Sequence, residues 1–257
     1  MGMSMRVLEW PRFIDNPAPA AMTIGVFDGV HLGHTALIKR IIRPGLTPVI
    51  VTFKQNPKKR GENYGGDISS LDQRLGIFRR LGVEFTVLID FSRNFSKLSG
   101  KEFIDILKDR GNLRYLVIGA DFRCGYRLDT DAAGIKKMNE AGGIPTEVIP
   151  PVTRGTVPVS SSRIRSAIAA GDLREAAALL GRNFAVDLAG SPIPKKNGMF
   201  FDLASQGRVL PPPGRYRAAL YEDRSTRGLQ AEITVEGNGV FVPSSRGVVN
   251  VEFLPGP

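Results

Sequence analysis

Short apolar segments alternate with amphipathic segments through the N-terminal part of the chain. Five of the apolar segments are rich in β-branched residues and have the length of strands: Thr23–Phe27, Pro48–Phe53, Phe85–Asp90, Tyr115–Gly119 and Thr146–Ile149. Nearly continuous apolar strands that are separated by helices are typical of a parallel sheet covered on both faces. The pattern therefore predicts an α/β fold with a doubly wound parallel sheet.

The segments between these strands carry helix start and stop signals. Ser70-Leu-Asp-Gln73 and Ser99-Gly-Lys-Glu102 have the spacing of capping boxes, ahead of predicted helices at Arg74–Leu81 and Phe103–Arg110. Further helices are predicted at Thr35–Ile42, Asp131–Ala141, Ser161–Ala170 and Asp172–Leu180. We expect Gly171 to separate the last two helices and Gly181 to end the second.

Beyond Phe184 the helical pattern stops, and short alternating segments follow between turns rich in Pro and Gly. Strands are predicted at Met199–Leu203, Tyr216–Tyr221, Leu229–Glu236, Gly239–Pro243 and Val248–Leu254. This spacing indicates a small antiparallel sheet, a partial barrel. We therefore place an α/β domain at residues 1–184 and a small antiparallel β domain at residues 185–257.

The composition is that of a soluble globular protein, with 42% hydrophobic and 23% charged residues among 257. A single cysteine, Cys124, excludes an intramolecular disulfide, and we interpret it as a packing residue. No apolar run has the length of a membrane span, and the N-terminus lacks the apolar region of a signal peptide. These features predict a cytoplasmic protein without membrane contact, and no protein partner can be inferred.

The net charge of +10 has two interpretations, a nucleic-acid surface or a positive field that attracts small anions. Lys and Arg are scattered, with local runs at Lys58-Lys-Arg60 and Lys195-Lys196, and neither run carries the interleaved aromatic residues of a single-strand binding surface. A field that draws in polyphosphate substrates explains the charge equally well. We predict small-molecule partners and no nucleic acid.

The two histidines of the chain, His31 and His34, lie three residues apart where the first predicted strand runs into a helix. A turn at Asp28-Gly29 precedes them, and the free N–H groups at a helix N-terminus bind phosphates in α/β proteins. Half of a metal site and ordinary packing are the alternatives. Zinc needs three or four ligands, and the chain has no HExxH pattern, cysteine cluster or third histidine. The pair therefore favours phosphate chemistry.

A second anion-binding signal is Val159-Ser-Ser-Ser-Arg-Ile-Arg165. One serine serves as an N-cap, but Arg163 and Arg165 near the helix start oppose the helix dipole. An anionic ligand reverses that penalty because arginine forks match phosphate oxygens; a solvated helix start with incidental arginines is the alternative. Two such sites without a Walker lysine suit nucleotidyl transfer, in which a phosphate attacks the α-phosphorus of ATP and pyrophosphate leaves.

These motifs resemble a known family. Gly25-Val-Phe-Asp-Gly-Val-His-Leu-Gly-His34 and Ser160-Ser-Ser-Arg-Ile-Arg165 look like the two signatures of the HxGH nucleotidyltransferase superfamily, whose sheet is Rossmann-like. Thr52-Phe53, Gly119-Ala-Asp-Phe-Arg-Cys-Gly125 and the segment 171–181 add a similarity to the bacterial FAD synthetase module, over about residues 7–185. In bifunctional riboflavin kinase/FMN adenylyltransferases that module is the N-terminal half.

The resemblance implies FAD synthesis: AMP is transferred from ATP to FMN, pyrophosphate is released, and Mg²⁺ accompanies ATP. It implies catalytic roles for His31, His34 and Arg163 and no metal-ligating residues of the protein. The residues implied to contact ATP are Gly25, Phe27, Asp28, His31, His34, Ser161, Arg163 and Arg165. Those implied to lie toward FMN are Phe53, Asn56, Pro57, Asp121 and Arg123.

The chain departs from the family pattern at two places. Gln55-Asn56-Pro57 stands where Pro-His-Pro is common. The region Lys195–Leu203 lacks the Pro-Thr-Ala-Asn stretch of the kinase module, although Gly207–Tyr216 and Val251–Leu254 still resemble strands of its barrel. Since the usual final helix is also missing, we expect a shortened kinase-like domain without riboflavin kinase activity. The alternative functions are another HxGH adenylyl- or cytidylyltransferase, or a catalytically weak regulator that binds flavin or nucleotide.

Overall fold

The computed structural model describes residues 5–10, 18–60, 64–90, 94–188, 192–222, 228–243 and 247–256. The chain divides into two compact units, and each is built from several stretches of sequence. The first comprises Met1–Phe27, Gly33–Arg60 and Arg74–Pro158, and the second Asp28–Leu32, Gly61–Gln73 and Val159–Pro257. The division therefore differs from a single cut in the chain, and the predicted boundary at residue 184 stays a prediction.

The strands of the first unit are β1 Arg6–Glu9, β2 Ala20–Ile24, β3 Thr47–Phe53, β4 Phe85–Ile89, β5 Leu113–Gly119, β6 Arg123–Cys124, β7 Thr130–Asp131, β8 Thr146–Ile149, β9 Thr153–Arg154 and β10 Val157–Pro158. Six of them form a parallel sheet in the order β1-β4-β3-β2-β5-β8. The strand order reverses beside β2, which is the place where open α/β sheets bind ligands. The predicted parallel α/β sheet is confirmed.

The α-helices of the chain, where it is described, are α1 Leu32–Ile41, α2 Leu71–Arg80, α3 Gly100–Asp109, α4 Ala132–Ala141, α5 Ser161–Ala169 and α6 Leu173–Leu180. Both predicted capping boxes form: Ser99 and Glu102 exchange side-chain-to-backbone hydrogen bonds, and so do Ser70 and Gln73. A left-handed Gly171 separates α5 from α6, and a left-handed Gly181 ends α6, as predicted. None of these helices is long and apolar enough to cross a bilayer.

Two differences from the sequence expectations concern strands of the parallel sheet. The pattern missed β1, because its residues are mostly exposed at the sheet edge and lack the apolar run that marks a buried strand. The strand predicted at Thr23–Phe27 instead spans Ala20–Ile24, since the chain leaves the sheet early and Phe27 takes a left-handed backbone conformation. This early exit starts the loop that carries the first motif.

The second unit contains a seven-stranded antiparallel sheet as well as α5 and α6. Its strands are β11 Ala185–Asp187, β12 Ile193–Lys195, β13 Gly198–Asp202, β14 Gly214–Tyr221, β15 Leu229–Glu236, β16 Gly239–Val242 and β17 Asn250–Phe253. The order is β11-β17-β14-β15-β16-β13-β12, and in the described part of the chain the two edge strands are not paired with each other. The predicted partial barrel is confirmed as an open, curled sheet.

Candidate active site

The loop that follows β2 has an unusual backbone conformation. Phe27, Gly29 and Val30 all have positive φ angles, of 55°, 77° and 41°. Non-glycine residues in this region cost about 1–2 kcal/mol each, so the surroundings must hold them. Within the first unit, the buried ring of Phe27 makes edge-to-face contacts with Phe78 and His34 at centroid distances of 5.7 and 5.1 Å. This contact orients His34, which lies in the first turn of α1.

Asp28, in the second unit, is a buried carboxylate whose oxygens are bound by the protein itself. The backbone N–H groups of Ile68 and Ser69 donate to its Oδ1 at 3.0 and 3.1 Å, and Ile68 also approaches Oδ2 at 3.2 Å. Arg165 completes the set with a hydrogen-bonded ion pair from Nη2 to Oδ2 at 2.7 Å. Asp28 therefore acts as an anchor that fixes the loop after β2 to Ser69 and to α5.

Arg165 is oriented on three sides. Besides the pair with Asp28, its Nε donates to the carbonyl of Gly66 at 2.8 Å. Its guanidinium lies over the Tyr64 ring, 5.0 Å from the centroid, and the Tyr64 hydroxyl donates to Asp67. Burial and this acidic neighbour raise the pKa of Tyr64 well above its usual range. The guanidinium is thus preset in one orientation.

The serine run at the start of α5 has two defined roles. Ser160 is the N-cap, and its side chain accepts from the N–H of Arg163 at 3.3 Å. Ser161 donates from Oγ to the backbone carbonyl of Asp28 at 3.0 Å. Because Ser161 and Arg165 both reach Asp28, the two sequence motifs meet within the second unit.

Arg163 forms an ion pair with Glu175 of α6, and both side chains are about three-quarters buried, at 28% and 25% exposure. The carboxylate offsets the unfavourable position of an arginine near a helix N-terminus. Sequence reasoning missed Glu175, although its place three residues after the N-cap Asp172 marks it as a residue of the first turn.

His31 is 6% exposed and lies in the same unit as Arg165 and Arg182. Burial, followed by the positive charges of Arg182 and Arg165, lowers the pKa of His31 from 6.5 to about 4. The imidazole is therefore neutral near pH 7 and offers one N–H donor rather than a full charge.

Arg182 is a residue that sequence reasoning missed. Its guanidinium donates to the carbonyls of Gly29 and Val30, at 3.0 Å for Val30, and so holds the two left-handed residues that precede His31. Its position directly after Gly181, the left-handed residue that ends α6, is the one signal that could have drawn attention to it.

The residues expected on the FMN side lie in the first unit, at or beyond the carboxyl ends of β3 and β5. Phe53 ends β3 and contacts Phe95 edge-on, and the short helical turn 57–60 that begins at Pro57 follows the buried Asn56. Asp121 and Arg123 follow β5 and are exposed, and Arg123 Nε donates to the carbonyl of Leu128 at 3.3 Å. Because β3 and β5 flank the parallel strand β2, these residues lie at the same end of the sheet as Gly25, which follows β2. The N–H of Gly25 donates to the carbonyl of Val51 in β3.

Arg74 is another residue whose role the sequence did not predict, since it was identified only as part of a helix. It is 5% exposed and lies in α2. Its guanidinium donates to the carbonyls of Val26 and Phe53 at 2.9 and 3.1 Å and to the Thr52 hydroxyl at 3.2 Å. Arg74 thereby fixes the exit of β2 against the end of β3, and it buries a charge that these acceptors satisfy.

The described residues contain no group of three or more His, Cys, Asp or Glu side chains arranged to hold a metal ion. Cys124 is half-buried, and burial raises the pKa of its thiol to about 12, with the charge of Asp129 as a second cause. A thiol with so high a pKa is protonated at neutral pH and a poor nucleophile.

With the geometry in place, the comparison with known proteins decides the family. The sequence model of the family described as FAD synthetase matches residues 14–163. The chain belongs to the FAD synthetase family. The match includes the whole first motif, Gly25–His34, and the second motif as far as Arg163.

Three curated relatives are bifunctional riboflavin kinase/FMN adenylyltransferases. The protein of Buchnera aphidicola subsp. Acyrthosiphon pisum is 30% identical over 174 residues, 65% of this chain and 56% of the relative. That of Escherichia coli K12 is 30% identical over 172 residues, 64% and 55% of the two chains, and that of Bacillus subtilis is 32% identical over 178 residues, 66% and 56%. The matched part thus spans little more than half the length of these relatives.

A solved structure resembles this fold. The crystal structure of a macrolide-efflux protein from Streptococcus pneumoniae superposes with a TM-score of 0.75 at 24% identity, covering 97% of this chain and 90% of that one. At this identity the similarity establishes the fold alone.

Proposed function

We propose that this protein is an FMN adenylyltransferase, which makes FAD and pyrophosphate from ATP and FMN. The observation that carries the proposal is the junction of the two motifs: Ser161 and Arg165 of α5 both bind Asp28, three residues before His31. An imidazole and an arginine-bearing helix start are therefore components of one nucleotide site. The names of the curated relatives supply the acceptor, FMN.

In the proposed reaction a phosphate oxygen of FMN attacks the α-phosphorus of ATP. The bond from the α-phosphorus to the bridging oxygen breaks, and pyrophosphate leaves with that electron pair. Catalysis then depends on in-line positioning and on donors that stabilise the charge on the oxygens. Mg²⁺ enters as part of the substrate MgATP, held by phosphate oxygens and water.

The chain supplies these donors in distinct ways. His31 donates a hydrogen bond from its neutral imidazole to an ATP phosphate oxygen. His34, in the first turn of α1, donates a second hydrogen bond to ATP. Arg163 leaves its ion pair with Glu175 and binds the β- and γ-phosphates of ATP. Arg165 keeps its ion pair with Asp28 and so fixes the loop after β2. Gly25 and Phe27 form the backbone of the β2 exit on the ATP side.

On the acceptor side, we assign the flavin ring to Phe53, Asn56 and Pro57. Asp121 and Arg123 follow β5, and the exposed Arg123 offers a guanidinium for the FMN phosphate. The cytoplasmic location and the absence of nucleic-acid and membrane contacts, expected from the sequence, stay predictions.

The direct test is incubation of the purified protein with MgATP and FMN, followed by chromatography of flavins and an assay for pyrophosphate. We expect FAD and pyrophosphate in equal amounts. Parallel reactions with phosphopantetheine, nicotinamide mononucleotide and a polyol phosphate test the other transferases of the superfamily. Turnover of one of these in place of FMN, or flavin binding without pyrophosphate release, would overturn the proposal.

Loss of riboflavin kinase activity is a separate prediction. It rests on the Lys195–Leu203 region, which lacks the Pro-Thr-Ala-Asn stretch of the kinase module. Riboflavin and MgATP should therefore give no FMN, measured on the same chromatograms, whereas FMN and MgATP give FAD in the matched reaction. Appearance of FMN from riboflavin would refute this.

A further inference from the structure

The segment Gly66–Ser69 has two functions at once. On one side it forms the nucleotide site: the amides of Ile68 and Ser69 bind Asp28, and the carbonyl of Gly66 binds Arg165. On the other side it lies against a segment of the small β domain, where the N–H of Asp67 donates to Gly207 at 2.7 Å. A residue that fixes the position of Gly66–Ser69 therefore also fixes the backbone groups that bind Asp28 and Arg165.

The close approach of the two backbones is built into the sequence. Gly66 has a φ of +92°, and a Cβ at this position would lie 2.7 Å from the nitrogen of Val209 and 2.8 Å from the carbonyl carbon of Arg208. The carbonyl of Asp67 then accepts from the N–H of Val209 at 3.1 Å. A side chain at residue 66 would separate the segments, so glycine is required by contact as well as by conformation.

Arg208 secures this junction with its side chain. It is 7% exposed, and its Nη2 donates to the Ile68 carbonyl at 3.1 Å and to Gln73 Oε1 at 2.7 Å. Its Nη1 forms an ion pair with Asp187 of β11 at 2.6 Å. Asp187 also accepts from the hydroxyl of Ser70. One buried guanidinium thus ties the residues that bind Asp28 to an edge strand of the antiparallel sheet.

We propose that Arg208, anchored on Asp187, is a positioning residue for the nucleotide site, and that the small β domain serves as its scaffold. The inference rests on the proposed function, because it concerns the same site. Arg208 acts through Ile68: its fork holds the carbonyl of the residue whose N–H binds Asp28, and Asp28 in turn holds Arg165 and Ser161. This gives the β domain a role in adenylyl transfer without kinase chemistry of its own.

The prediction is selective weakening of nucleotide binding. Arg208→Met removes the guanidinium that donates to Ile68, Gln73 and Asp187, so the segment loses its link to β11. Calorimetric titration of the full chain with α,β-methylene-ATP and, separately, with FMN measures the dissociation constant of each ligand. We expect the dissociation constant of the ATP analogue to rise by at least about tenfold and that of FMN to change by less than about twofold.

Two further variants make the test decisive. Asp187→Asn weakens the anchor and should move nucleotide affinity in the same direction, and it decides the question alone if Arg208→Met does not fold. Arg215→Met is the matched control, because Arg215 is an exposed arginine of β14, in the same sheet, paired with Glu232. It should change neither dissociation constant.

The outcomes separate the inference from the proposed function. Folded Arg208→Met and Asp187→Asn proteins that bind the ATP analogue like wild type would overturn the positioning role. So would equal losses for the analogue and for FMN together with a lower Tm, since that result indicates general destabilisation. A wild-type protein that binds the analogue but makes no FAD overturns the proposed function and leaves the scaffold role standing; one that does not bind the analogue overturns both.

Discussion

His31 shows how the protein can use an imidazole without its charge. Its neutral state follows from burial and from two nearby guanidinium groups, which would repel a protonated imidazole. A neutral donor binds a phosphate oxygen without the desolvation cost of a buried imidazolium. The sequence predicted the position of this histidine from its motif, but not its protonation state, because Arg182 is 151 positions away along the chain and only folding brings it close.

We expect His31 to titrate at about pH 4 in the free protein, well below 6.5. Its depressed pKa means that its contribution to the free energy of unfolding is complete above pH 6.5 and is lost as the pH falls toward 4, because the unfolded state takes up the proton first. With two histidines in the chain, an NMR titration of the imidazole resonances resolves both, and His31→Gln assigns them.

The matched variants for this titration are Arg182→Met and Arg174→Met. The first removes a positive charge near His31 and should raise its pKa, though not to 6.5, since burial is the larger cause. The second removes an arginine of α6 that binds the carbonyl of Gly256 and should leave the titration unchanged. An unchanged curve in Arg182→Met would contradict the electrostatic explanation.

Arg163 and Glu175 allow a second test at single positions. If Arg163 binds phosphates in the transition state, Arg163→Ala lowers kcat/KM for ATP by more than about tenfold, roughly 1.4 kcal/mol, and His31→Ala does the same. Glu175→Gln frees the guanidinium from its ion pair and should cost less than about threefold. Equal losses in Arg163→Ala and Glu175→Gln would show that the pair matters only for structure; steady-state kinetics decide.

At the level of elements, local sequence signals predicted the helices and the central strands. They did not predict the contacts between segments that are distant in the sequence. Capping boxes at Ser70 and Ser99 and apolar runs in β3 and β4 are local properties that a sequence displays. The junction of Gly66–Ser69 with Arg208 brings together residues more than 130 positions apart, and no periodicity marks it. No periodicity marks the contacts of Arg74 either, because its acceptors are the carbonyls of Val26 and Phe53 and the Thr52 hydroxyl.

Two neighbouring glycines test the close approach in the Gly66–Ser69 junction. Gly65 and Gly66 both have positive φ, of 68° and 92°, but a Cβ at residue 65 meets its nearest neighbour, Arg165 Cδ, at 3.8 Å. Gly65→Ala should therefore cost about 1 kcal/mol from backbone conformation alone. Gly66→Ala adds a clash with backbone atoms and should cost at least ~1 kcal/mol more in urea unfolding. Equal costs would mean that the backbones are not in contact.

Taken as a whole, the chain carries a net charge of +10 while its proposed substrates, ATP and FMN, are anions. The sequence left two interpretations of this charge, a nucleic-acid surface and the attraction of small anions, because composition does not say which anion is bound. The proposed function assigns places to two small phosphorylated molecules, one around Asp28 and the start of α5 and one at the carboxyl ends of β3 and β5. A long-range field fits the capture of such substrates.

The field makes a kinetic prediction. Raising the ionic strength from about 0.01 to 0.15 M shortens the Debye length from about 30 to 8 Å, so attraction from scattered surface charges is screened while contacts inside the site are not. We expect kcat/KM for ATP to fall by several-fold over this range with kcat nearly constant. The measurement is steady-state FAD formation at fixed Mg²⁺ with potassium chloride varied. A fall in kcat with constant kcat/KM would instead place the salt effect on the chemical step or product release, and long-range attraction would have no part in the rate.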